Sequence, residues 1–131
     1  MPNRALDWLR QAKRDLQQAQ ASQADERYEW ACFAAHQAAE KAVKALHLAL
    51  GQEAWGHLVA RLFTELPPDQ APEIPTLLLE KAKVLDNFYI PTRYPDSHPE
   101  GSPFDHYGIL QSQEAIKYAS EIVEFVDHEM A

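Results

Sequence analysis

The chain has 131 residues, 46% hydrophobic and 24% charged, with a single cysteine and a formal net charge of −8. That size suits one domain, residues 1–131, with a self-sufficient core, and the apolar content excludes a disordered chain. Cys32 alone cannot form an internal disulfide, no apolar run reaches membrane-spanning length, and the acidic balance counts against a high-affinity nucleic-acid binder, so no DNA partner is expected, while leaving room for a weakly binding nuclease.

The start MPNRALDWLR has no signal-peptide core, so a cytoplasmic protein is expected. In the segment from Asn3 to Ala21, Ala5, Trp8, Leu9, Ala12, Leu16 and Ala19 fall on one helical stripe, and Asn3 is placed to cap it. The polar piece SQADER then reads as a short link to an antiparallel neighbour. Tyr28 to Leu50 is the longest pattern and predicts the central helix. Its buried side is assigned to Trp30, Phe33, Ala34, Ala38, Ala42, Ala45, Leu46 and Ala49, and Gly51 suits its C-terminal cap.

A short helix is predicted from His57 to Leu66, with Leu58, Val59, Leu62, Phe63 and Leu66 inward, stopped by Pro67 and Pro68. A fourth, from Pro75 to Asn87, turns Leu77, Leu78, Val84, Leu85 and Phe88 inward. A last helix runs from Leu110 to Glu129. Its stripe is Ala115, Tyr118, Ala119, Ile122, Val123 and Val126, with Glu114, Lys117, Glu121 and Glu124 on the wet side. No segment alternates well enough for a strand. The expected fold is all-α, an up-and-down bundle of four to five helices.

Between the last two helices lies LDNFYIPTRYPDSHPEGSPFDHY, from Leu85 to Tyr107. Pro91, Pro95, Pro99 and Pro103 forbid one continuous helix, since each lacks a donor N–H and biases its predecessor away from α geometry. Phe88, Tyr89, Tyr94, Phe104 and Tyr107 are too much aromatic surface to leave in water, so the loop is expected to pack. It also carries Arg93, Asp96, His98 and His106. An ordered loop of this content is where binding and catalysis concentrate.

Arg93 and His98 are the candidate catalytic pair, spaced R-x4-H. Metal-independent RNA cleavage needs an imidazole to move the proton of a 2′-hydroxyl or a 5′-oxygen, and a permanent cation to hold the phosphate. In the plainer reading Arg93 pairs with Asp96 or caps a helix, and His98 is simply exposed. Along the central helix, His36, Glu40, Lys44 and His47 suggest either metal ligation completed by other segments or a solvated face with a Glu40–Lys44 pair. Lys41, Lys44, Lys81, Lys83 and Arg93 are candidates for a phosphate-facing patch, with Lys41, Lys44, Arg93 and Tyr94 as the nucleotide or RNA contacts. No metal site or cofactor is expected, because neither a phosphate-cradling glycine loop nor an H-E-x-x-H or paired-cysteine signature is present.

Three pieces together resemble the HEPN domain family: A-L-D-W-L-R-Q-A-K-R-D-L, then F-A-A-H-Q-A-A-E-K-A-V-K-A-L, then L-D-N-F-Y-I-P-T-R-Y-P-D with E-A-I-K-Y-A-S-E-I-V-E-F-V after it. The likeness spans nearly the whole chain in the family's order. It implies a small helical bundle that forms a homodimer and is paired, as toxin with antitoxin, with a minimal nucleotidyltransferase. It also implies a metal-independent RNase motif, R-x4-6-H, onto which Arg93 and His98 fall. This chain departs from the active pattern in placing Tyr94 and Pro95 after the arginine, where a polar residue is usual. The other reading that the resemblance leaves open is a non-catalytic module whose Leu85–Tyr107 loop docks a nucleotide or the nucleotidyltransferase.

Overall fold

A computed structural model describes residues 3–131, and their regular structure is entirely helical. Helix α1 spans Ala5–Ala24 and α2 spans Tyr28–Ala49. They are followed by α3 (Val59–Thr64), α4 (Thr76–Leu85), α5 (Pro103–His106) and α6 (Ile109–Met130). The bundle therefore has six helices, two of them short, where four to five were expected.

Asn3 does cap α1: its side-chain oxygen accepts the Ala5 N–H at 2.8 Å, while its amide donates to the Leu48 carbonyl at 2.7 Å. Helix α1 outlasts its expected end, burying Ser22, and only Asp25–Arg27 separate it from α2. Glu26 makes the turn with φ of 59°, the left-handed backbone common just past a helix end.

Helix α2 is the hub, packed most extensively against α1 and α6. Ala31, Ala35, Ala38, Ala39, Ala42 and Ala45 are completely buried, and their small side chains let neighbours approach from several directions. A helix enclosed this way has little wet surface, so apolar periodicity understates its burial. Leu46, Leu62, Leu85 and Ile122, one each from α2, α3, α4 and α6, fill the core. Truncating any of these to alanine costs about 2–5 kcal/mol in transfer and cavity terms.

Some residues assigned inward lie outward. Trp30 and Leu58 are about half exposed, Leu77 is 64% exposed and Ala49 is exposed at the end of α2. On α4 the buried set is Leu78, Ala82 and Leu85, spaced for one face, which turns Leu77 away. Leu58 precedes the first turn of α3 on extended backbone.

The Leu85–Tyr107 segment is ordered by short pieces rather than by a continuous helix. Single 3₁₀ turns form at Asp86–Phe88 and Pro95–Ser97, and α5 begins on Pro103. Pro95 and Pro103 each open a short helix, where a missing N–H costs nothing. Phe88 is buried with Tyr107 edge-on to it at 6.0 Å, and the buried Thr92 hydroxyl donates to the Phe88 carbonyl at 2.8 Å. Tyr94 and Phe104 remain exposed. Gly101 needs its φ of 79°, and a Cβ there would sit 3.2 Å from both Asp105 Oδ2 and His106 Nε2.

Candidate functional site

The row His36, Glu40, His47 lies inside the molecule, which overturns its expected solvated face. Each polar group there is answered, as burial requires. His36 donates from Nε2 to the His57 carbonyl at 2.8 Å, and its Nδ1 accepts from Gln37. His47 donates from Nε2 to the Leu62 carbonyl at 2.7 Å, and its Nδ1 accepts from Gln52. Glu40 takes the Lys44 ammonium on one oxygen at 3.2 Å and the His57 Nδ1–H on the other at 3.1 Å. These bonds clamp the α2–α3 connection onto α2. Because every ring nitrogen of His36 and His47 is engaged, the row does not hold a metal, and no cluster of potential ligands stands elsewhere among the described residues.

That clamp sets up the next layer. The His57 ring stacks on Tyr89 at 4.4 Å between centroids and 17° between planes, and His36 lies 5.2 Å from the same tyrosine. Asp86, at the end of α4, accepts the N–H groups of Val59 and Ala60 at 2.6 and 3.1 Å, which fixes α3 against α4. Tyr89 is thus held from both sides just where the chain leaves α4.

Arg93 is built on this platform. Its Nε donates to the Tyr89 carbonyl, four residues back, at 2.9 Å. Its guanidinium carbon lies 4.3 Å from the Phe33 ring centre, 4.7 Å from Tyr89 and 5.2 Å from Tyr94. Stacking on aromatic faces suits a delocalised cation and restricts its orientation. Among the described residues Arg93 pairs with no carboxylate, Asp96 included, and its terminal nitrogens make no hydrogen bond. The result is a fixed guanidinium whose anion-gripping edge is unspent.

His98 is held in a similar half-committed way. Its Nε2 donates to the Pro91 carbonyl at 2.7 Å, its ring stacks on His106 at 4.1 Å and 5°, and Tyr107 stands edge-on at 6.0 Å. The carbonyl fixes the proton on Nε2 in the neutral ring and leaves the Nδ1 lone pair free. His106 in turn donates to the Glu100 carbonyl at 2.7 Å. His98 is therefore neither loose nor simply exposed. Arg93 and His98 are held by different aromatic neighbours, and no hydrogen bond joins them within the protomer.

The phosphate-facing lysine patch does not assemble. Lys41 pairs with Asp15 of α1, Lys44 with Glu40, Lys81 with Glu121 at 2.7 Å and Lys83 with Glu80 at 3.3 Å. Each lysine is balanced by a nearby carboxylate, and three of those carboxylates lie in the lysine's own helix or in α6. Of the expected nucleotide contacts, Tyr94 accompanies Arg93, whereas Lys41 and Lys44 lie on the α1–α2 side. Cys32 is poorly placed to act as a nucleophile: burial, with Glu29 nearby, pushes its thiol up to about 12. Burial also raises Tyr107, with Cys32 adding to the shift.

Sequence reasoning placed Tyr89 and His106 in the loop without giving either a part in the site, and did not connect Phe33 or His57 to it. Tyr89 was the one with a local signal, since a residue four positions before an arginine offers its carbonyl across one turn. The contacts of Phe33 and His57 are long-range and leave no periodic mark.

A family model described as the HEPN domain matches residues 5–129. Among solved structures, TT1696 from Thermus thermophilus is 52% identical, with 97% of this chain and 98% of that one covered and a TM-score of 0.93. ST0689, described as an archaeal HEPN homologue, is 37% identical over the full length of both chains, with a TM-score of 0.80. A HEPN domain protein from Thermotoga maritima, tm0613, is 35% identical over 93% of this chain and 95% of that one, with a TM-score of 0.73. No curated protein matches.

Proposed function

The chain belongs to the HEPN family, and from that membership we propose that it is a metal-independent endoribonuclease, the toxin of a pair whose antitoxin is a minimal nucleotidyltransferase. The observation that carries the reading is Arg93: a guanidinium anchored through Nε and three aromatic faces, with its terminal nitrogens turned to no carboxylate. Such a group grips two oxygens of a phosphodiester and gains strength as charge develops on them. His98, oriented by the Pro91 carbonyl, offers Nδ1 as the base.

In this reading two copies of the chain form a homodimer, and each supplies one Arg93–His98 pair. Nδ1 of one His98 takes the 2′-hydroxyl proton while that oxygen attacks phosphorus. The bond from phosphorus to the 5′-oxygen breaks, and the leaving oxygen takes a proton from the imidazolium of the second copy. The products are a 2′,3′-cyclic phosphate and a 5′-hydroxyl.

The test is RNA cleavage by purified protein in the presence of a chelator. Arg93→Ala should lower the rate about 100- to 1,000-fold and His98→Ala about 100- to 10,000-fold, with helicity unchanged. Cleavage that survives both substitutions would rule the assignment out.

A second reading rests on a different observation. His98 and His106 are each spent on a backbone carbonyl and on each other, as in a loop built for shape. There the segment is a non-catalytic module, and Arg93 receives a phosphate of a nucleotide or a carboxylate of the nucleotidyltransferase. Binding of either, lost in Arg93→Ala and kept in His98→Ala, without cleavage of any RNA, would select it.

A further inference from the structure

Twelve lysines and arginines stand against twenty acids. Eight of the twelve are paired with carboxylates: Arg4, Lys13, Arg27, Lys41, Lys44, Arg61, Lys81 and Lys83. Among the described residues the four without such a partner are Arg10, Arg14, Arg93 and Lys117. In so acidic a chain, uncompensated cations ought to be scattered, yet two of these four wall one groove, and a third, Arg93, stacks on a ring that walls the groove beside it.

The track consists of two adjoining grooves. The first, about 710 Å³, is walled by Trp8, Arg10 and Arg14 of α1 and by Lys41 of α2. The second, about 430 Å³, runs between α1 and the start of α2, past Trp30, Phe33 and Gln37. Lys41 lines both and so joins them. The Phe33 ring that walls the second groove also carries the Arg93 guanidinium at 4.3 Å. From Asp7 to Ser22, the α1 residues lining the grooves span about 22 Å of helix axis.

Two acids on the track are already engaged. Asp7 accepts from Arg4 and Asp15 from Lys41 and Gln11, so Arg10 and Arg14 remain as net positive charge. Aromatic faces alternate with the cations. Trp8 is 37% exposed and Trp30 48%, although both belong to otherwise well-packed helices. Exposed indoles interleaved with unpaired guanidinium groups fit one ligand class well: a single strand whose bases stack while its phosphates are neutralised.

We infer that the α1–α2 groove, from Arg10 and Arg14 past Lys41 and Trp30 to Arg93, binds single-stranded nucleic acid as an extended track. It rests on the proposed nuclease reading only for its destination, the Arg93 guanidinium stacked on the Phe33 wall of the second groove. The track delivers a strand to that guanidinium and holds it by stacking and charge, without reading its sequence.

The test uses a fluorescein-labelled 2′-O-methyl oligoribonucleotide of about ten nucleotides, which cannot be cleaved through its 2′-oxygen, titrated against the full chain. A log–log salt slope of about −2 is expected from three unpaired cations, and R10Q/R14Q should flatten it by about 1.4 while weakening binding at low salt. Trp8→Ala or Trp30→Ala should weaken binding about 5- to 150-fold and remove part of the tryptophan quenching on titration. Arg10, Arg14 and both indoles are solvent-facing, and circular dichroism of each variant checks that the helices persist. The inference is overturned if R10Q/R14Q binds like the parent, if a duplex of the same sequence binds as tightly, or if inorganic tripolyphosphate or an acidic peptide displaces the strand at equal charge concentration. Binding through Arg10 and Arg14 with no cleavage of ordinary RNA would sustain the track and sink the nuclease. Cleavage dependent on Arg93 but indifferent to Arg10 and Arg14 would do the reverse.

Discussion

The buried row on α2 and the Leu85–Tyr107 segment contain the same kinds of side chain and use them differently. On α2, His36 and His47 each spend both ring nitrogens, and Glu40 spends both oxygens. In the segment, Arg93 and His98 each spend one nitrogen on a carbonyl and keep the rest. The residue type does not separate a structural group from a functional one. What separates them is the bonding capacity left after the fold has taken its share.

The largest effect that could break this comparison is on chemistry. Arg93→Ala and His98→Ala should cost orders of magnitude in RNA cleavage with little change in melting, because neither side chain is a core group. Arg93→Lys sharpens the point: it keeps the charge but loses the fork and the aromatic stack, and about a tenfold or greater loss of cleavage is expected. Retained full activity in the lysine variant would mean that geometry at Arg93 is irrelevant.

The opposite outcome is expected on α2. His47→Ala strands the Leu62 carbonyl inside the protein, leaves the half-buried Gln52 amide with only the Glu65 carbonyl, and should destabilise the fold by about 1–3 kcal/mol in urea melts. Cleavage per folded molecule should stay the same. Activity lost beyond the unfolded fraction would mean that the row takes part in the chemistry.

A smaller effect concerns pH. The folded thiol of Cys32 titrates at about 12 against an ordinary value of 9.0, so unfolding releases a proton between those values. The contribution of the neutral thiol is complete below about pH 9 and is lost as pH rises toward 12. Denaturant melts at about pH 8 and pH 10.5 should differ by more in the parent than in Cys32→Ala. At about pH 8, alkylation of Cys32 should be limited by unfolding. Rapid labelling of the native protein would contradict its burial.

The helices were legible in the sequence because α1, α4 and α6 each bury one stripe. Asn3, Gly51 and the Pro67–Pro68 stop marked their ends. Helix α2 was read less well for a physical reason. Alanines enclose most of it, so the polar stripe His36–Glu40–His47 is buried although its spacing resembles a wet surface. Helix α5 was hidden by proline spacing that looked only like interruption. Arg93 was picked out by its spacing to His98 and by its aromatic neighbours. The pairings of Lys41 with Asp15 and Lys81 with Glu121 join distant parts of the chain, and no local pattern reports them.

The three-residue link between α1 and α2 also bears on how the molecule comes into being. The α1–α2 hairpin closes over a short loop and is available early, as local helical contacts are in fast-folding bundles. The other large flank of α2 waits for α6, which begins only at Ile109. A nascent chain held before that point carries an apolar seam meant for Ala115, Ala119, Ile122 and Val126, and would adhere to chaperones or to its own kind until synthesis is finished.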